Sequence, residues 1–116
     1  MTIRNLGNYL SQQWDWACLK GCFGNTKIEP TDIDGIVERF GHFLLLETKG
    51  VGVPLNTGQR IFLESWMGCP HHSAIIIWGP SGAPVAMQVF PGPINDGDMD
   101  MLRGLVSEWF AKANQR

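Results

Sequence analysis

Two short stretches carry side chains able to do chemistry together. Asp32-Ile33-Asp34-Gly35 supplies two carboxylates, and Glu47-Thr48-Lys49 adds a third carboxylate and a lysine. Side chains alternate across an extended strand, so Asp32 and Asp34 share one face of theirs, and Glu47 and Lys49 share one face of the next. With a turn at Gly41-His42, a regular hairpin pairs Asp34 near residue 49 and sets Asp34, Glu47 and Lys49 side by side at one edge of a sheet. Two carboxylates at that distance repel each other unless a divalent cation sits between them. Mg²⁺ or Mn²⁺ held there would polarise a phosphoryl oxygen and acidify a bound water, while the lysine positions that water and offsets developing charge. These are the parts of metal-dependent phosphodiester hydrolysis.

The elements that must position these groups follow from the apolar spacing. Leu6, Leu10, Trp14 and Ala17 predict a first helix over about 6–20, stopped by Gly21 and Gly24. Ile33, Ile36, Val37 and Phe40 mark the first hairpin arm within 31–40. The second arm, Phe43 to Lys49, begins apolar on both faces and turns polar at its end, the pattern of a strand covered on both sides whose last residues emerge into a cleft. After the turn at 50–54, Asn56 or Thr57 can cap a helix that carries Phe62, Leu63, Trp66 and Met67 on one face and stops at Gly68. Strands at 73–78 and 85–90 are joined by the turn formers of 79–84. Asp96 or Asp98 can cap a last helix that buries Leu102, Leu105, Val106, Trp109 and Phe110. The expected order is α-β-β-α-β-β-α, an α/β domain with a central mixed sheet flanked by helices, spanning 1–116 as a single domain.

The stretch from Asp32 to Gln59, about a quarter of the chain, resembles the core of the PD-(D/E)XK nuclease superfamily, the restriction-endonuclease-like fold to which Holliday junction resolvases and small phage and bacterial VRR-NUC proteins belong. An acidic residue on one strand precedes a Glu-x-Lys on the next, and a helix follows. The resemblance implies Asp34 and Glu47 as metal ligands, the Thr48 backbone carbonyl completing the coordination, Lys49 as the catalytic lysine, and Gln59 as a glutamine that several branches place near the active site. It implies Mg²⁺ or Mn²⁺ as cofactor and DNA as substrate, cut by an endonuclease or junction-resolvase type of enzyme in a bacterial or phage-infected cytoplasm. Asp32 is the rival first carboxylate, with Thr31 inserted after Pro30. Two departures stand out: only Lys27-Ile28-Glu29 is available for the family's first strand, and the first helix offers only Gln12, Gln13 and Asp15 in place of a glutamate.

Other residues carry rival roles. Gln59 can also serve as the capping-box partner of Asn56. Gly50 and Gly52 either make a plain turn or let a phosphate backbone approach closely. Lys20, Lys27, Arg39 and Arg60 are the basic residues available near the cleft, each better suited to a solvated surface than to a DNA contact. Cys18 and Cys22, one helical turn apart, together with Cys69 and His71, are candidate zinc ligands, and they support an alternative in which the chain is a non-catalytic interaction module with a degenerate nuclease-like or zinc-stabilised fold. Among the five tryptophans, Trp14, Trp66, Trp78 and Trp109 fall at core-facing positions and Trp16 does not.

Composition bounds these readings. The 116 residues are 44% hydrophobic and 17% charged, which fits a globular domain and excludes a disordered or fibrous chain. The longest apolar run, Ala74 to Trp78, is far short of the roughly 20 residues of a bilayer-spanning helix, so no membrane partner is expected. Three cysteines, an odd number, fit a reducing compartment. A net charge of -2 gives no general attraction to nucleic acid. DNA contact must then be local, with a homodimer or a larger nucleic-acid-processing assembly supplying further surface.

Overall fold

The computed structural model describes residues 14–116. The chain divides into two units between Asp32 and Ile33. In the first, Asp15 caps a 3-10 helix, Trp16–Leu19, its carboxylate accepting from the Ala17 N–H at 3.0 Å. The helix expected over 6–20 lies partly outside the described residues, and its described part is this short turn, broken where Gly21 and Gly24 take φ values of 91° and 67°. Trp14 stacks on Trp16 with ring centroids 5.5 Å apart, and both are exposed. Trp14, at 73% exposure, is not the core residue its spacing predicted. Lys27-Ile28-Glu29 forms no strand.

The second unit is an α/β assembly of five strands and two helices: β1 (Gly35–Arg39), β2 (His42–Lys49), α1 (Thr57–Met67), β3 (His72–Trp78), β4 (Ala86–Val89), β5 (Ile94–Asp96) and α2 (Met99–Ala113). The sheet is mixed, in the order β1-β2-β3-β4-β5. β2 and β3 run parallel and every other pair is antiparallel, so α1 is the crossover that returns the chain to the start of β3.

Alternation along β2 and β3 divides the core in two. Leu45, Ala74, Ile76 and Trp78 pack with Leu63 of α1 and with Phe90, flanked by Leu55, Trp66 and Met67. Leu44, Ile75 and Ile77 pack with Met87, flanked by Leu102, Leu105, Val106 and Trp109 of α2. Each central strand is therefore covered by one helix per face, which is why its sequence reads as an unbroken apolar run. Each fully buried aliphatic side chain contributes about 1.5–3 kcal/mol from leaving water. No helix among the described residues is long and apolar enough to cross a membrane.

Several expectations are corrected. The hairpin turn is Phe40-Gly41, both at positive φ (50° and 80°), a two-residue turn whose twist matches its strands. His42 thus pairs with Arg39 and Gly35 with Leu46, so the register carries Asp34 opposite Glu47 and not residue 49. The element order also gains a strand: Ile94, Asn95 and Asp96, polar enough to read as loop, pair with Gln88, Met87 and Ala86. Phe62 and Phe110 lie at the borders of the buried helical stripes and are exposed at 42% and 45%, with Phe62 stacked on Trp66 and not against the sheet.

Leu63 is 2% exposed and is the one fully buried side chain that α1 sends into the sheet. Leu63→Ala should lower unfolding stability by about 2–5 kcal/mol in urea denaturation, through lost transfer energy and the cavity left behind.

Candidate active site

The site is assembled at the C-terminal end of β2, where the helices cease to cover the strand. Leu44 and Leu45 are buried, Leu46 and Glu47 are half-buried, Thr48 is exposed, and Lys49 is half-buried. Charge enters the strand only where water can reach it.

Asp34 immediately precedes β1, and its carboxylate continues the ladder that the β1 backbone has left. Its Oδ2 accepts from the Thr48 N–H at 2.8 Å and from the Thr48 hydroxyl at 3.0 Å. A strand residue sends its N–H and C=O to the same side. The Lys49 carbonyl accepts from the Gly79 N–H at 3.0 Å, on the β3 side. The neighbouring Thr48 carbonyl is therefore aimed at the opposite edge, toward Asp34. The expected oxygen donors, Asp34, Glu47 and the Thr48 carbonyl, thus gather at one strand end.

Partial burial and the neighbouring Asp34 charge push the Glu47 carboxyl above the ordinary glutamate range, and Lys49 pulls it part of the way back. Oxygen donors of this kind would suit a hard cation such as Mg²⁺ or Mn²⁺.

Lys49 is held from α1. Its Nζ donates to Gln59 Oε1 at 2.7 Å. The same oxygen accepts from the Asn56 N–H at 3.1 Å, while Asn56 Oδ1 accepts from the Gln59 N–H at 2.8 Å. The two roles open for Gln59 are therefore one arrangement: the capping box that starts α1 also orients the lysine. The intervening loop is pinned by Trp78, whose indole N–H donates to the Val53 carbonyl at 2.7 Å, and by the turn from the Val53 N–H to the Gly50 carbonyl. Gly79 is required where it stands, because at φ +132° a Cβ would lie 2.8 Å from the Ala83 carbonyl oxygen.

From sequence, Thr48 offers only its carbonyl and Trp78 only a packing role. Their local signals were the polar residue inside Glu-x-Lys and an indole at the end of an apolar run, neither of which names a partner. Arg39 is corrected: at the far end of β1 from Asp34, it donates to Asn114 Oδ1 and lies 3.7 Å over the Phe40 ring. Lys20, Lys27, Cys18, Cys22 and the rival carboxylate Asp32 belong to the first unit, whereas Arg60, Cys69 and His71 belong to the second. All three cysteines are free and exposed. Among the described residues, no three His, Cys, Asp or Glu side chains form a metal-ligand group.

Comparison with family models, curated proteins and solved structures finds no match to this chain.

A glutamate with a raised folded pKa binds its proton more tightly in the folded chain, so stability falls as pH climbs from the ordinary glutamate range through the folded value. Glu47→Gln should accordingly be more stable than wild type in urea denaturation at neutral pH, and the gain should vanish below about pH 4. In an NMR titration, Asp34→Asn should move the Glu47 midpoint downward.

Proposed function

We propose that this chain is a divalent-metal-dependent nuclease that hydrolyses phosphodiester bonds in DNA, of the endonuclease or junction-resolvase type in the restriction-endonuclease-like class. One observation carries the reading: Asp34, Glu47 and the Thr48 carbonyl edge meet at the end of β2, and Lys49, on the Glu47 face, is oriented by Gln59.

Asp34, Glu47 and the Thr48 carbonyl would hold the Mg²⁺ or Mn²⁺. When bound, the ion supplies Lewis acidity to a phosphoryl oxygen and lowers the pKa of a water. The chain's own groups do the rest. Thr48 fixes Asp34 through two hydrogen bonds, so the first carboxylate is preorganised. The Gln59 oxygen accepts one Lys49 N–H and leaves the other two N–H donors for the attacking water and a phosphoryl oxygen, where the ammonium offsets charge growing on phosphorus. Water adds to phosphorus, the ester oxygen leaves and takes up a proton, and the products are a phosphate monoester and an alcohol.

Labelled linear, single-stranded and four-way-junction DNA should be cut in Mg²⁺ or Mn²⁺. Asp34→Ala, Glu47→Ala and Lys49→Ala should each lose at least about 10²-fold in rate, as expected on removing a group that stabilises transition-state charge. Gln59→Ala should lose less, because the lysine remains but is no longer oriented. Wild type and variants equally inert on every substrate would overturn the reading in favour of a non-catalytic module.

A further inference from the structure

The opposite end of β2 presents a second group of side chains. His42 opens the strand, and His71 lies between α1 and β3. The parallel register pairs Phe43 with His72, so its extension sets His42 beside His71. Their ring centroids are 4.4 Å apart with the planes tilted by 55°. The backbone fixes both positions: the Phe43 N–H donates to the His71 carbonyl at 2.9 Å, and His71 sits at φ 66°.

His72 is committed elsewhere. Its ring packs 4.0 Å from the Trp66 ring, and its Nδ1 is 3.2 Å from the Trp66 carbonyl oxygen. His71 is exposed and His42 half-buried, and neither imidazole has a hydrogen bond among the described residues. Two imidazoles binding one cation at about 2.0–2.1 Å have centroids roughly 4.5 Å apart for a right-angle bite and about 5 Å apart for a tetrahedral one. The observed separation matches the narrower bite.

We propose that His42 and His71 form a two-imidazole chelate for a borderline divalent transition cation of the Zn²⁺, Ni²⁺ and Cu²⁺ class, with water completing the coordination sphere. Neutral imidazole suits these ions, whereas Mg²⁺ and Mn²⁺ prefer the carboxylate end. The two ends of β2 are on the order of 23 Å apart at about 3.3 Å per residue. A cation at the histidines would tie the β1-β2 hairpin to the junction of α1 with β3, so binding stabilises the folded chain by mass action. The site differs from the zinc set predicted from sequence. It uses no cysteine, and the Cys69 Sγ lies 3.9 Å from the Ser65 carbonyl oxygen of α1.

The test uses Ni²⁺ as probe in calorimetric titration, on the 116-residue chain carrying Glu47→Gln and serine at Cys18, Cys22 and Cys69, so that the site at the other end of β2 is weakened and thiolate binding is removed. One Ni²⁺ per chain is expected, with a rise in melting temperature. His42→Asn and His71→Asn in that background should each weaken binding by roughly 10²-fold, since losing one arm turns an intramolecular second contact into none. Asparagine tolerates the left-handed backbone at 71, and circular dichroism is the check that both variants fold. Absence of binding in the parent protein, or equal affinity in parent and variants, overturns the proposal.

Discussion

A strand covered by helices on both faces has no place for charge, and β2 obeys that constraint along its length. Leu44 and Leu45 each enter a different half of the core, one toward α2 and the other toward α1. A carboxylate at either position would meet the cost of losing water with no partner to offset it. Glu47, Thr48 and Lys49 are tolerable because they begin where coverage ends. The period of two then decides the rest: Glu47 and Lys49 follow Leu45 on the α1 side, and Thr48 turns its backbone polar groups toward β1. The location of the candidate site is a by-product of how the core is buried.

The same economy links α1 to the lysine. Gln59 and Leu63 are four residues apart and so lie on one side of the helix, one turn above the other. Leu63 locks that side onto Leu45, Ala74 and Ile76, which presents Gln59 to the last residue of β2. The capping box meanwhile satisfies backbone donors at the start of α1 that would otherwise lack partners. Helix initiation, helix docking and orientation of the lysine therefore use overlapping atoms. A change in the core beneath α1 is transmitted to the Lys49 ammonium through one helical turn.

Much of this was legible in the sequence because it depended on local periods. The two-faced β2, the Asn56 cap and the Gly68 stop, the hairpin from β3 to β4, and the Asp98 cap with its four apolar contacts all follow from spacing that one element imposes on itself. What escaped depended on pairing. β5 is strand only because β4 offers it a ladder, and Phe62 and Phe110 were misplaced because the width of a buried stripe is set by the surface it meets. The carboxylates and lysine were recognised by type and spacing, yet the proximity of Asp34 to Thr48 required a register. That register required knowing which two residues made the turn, and Phe40, an unusual residue at positive φ, hid the answer.

That turn therefore acts as a ruler. It lies at the far end of β1 from Asp34, but every residue between them is counted through the ladder, and a strand has no slack within it. Deleting one of the two residues between Arg39 and His42 would leave too few to turn the chain, so β1 would slide by one place, exchange its two faces and carry the Asp34 carboxylate away from the Thr48 amide. A surface hairpin that looks free to vary in length is thus metrically coupled to chemistry several residues away. Its two-residue loop is a dimension of the site.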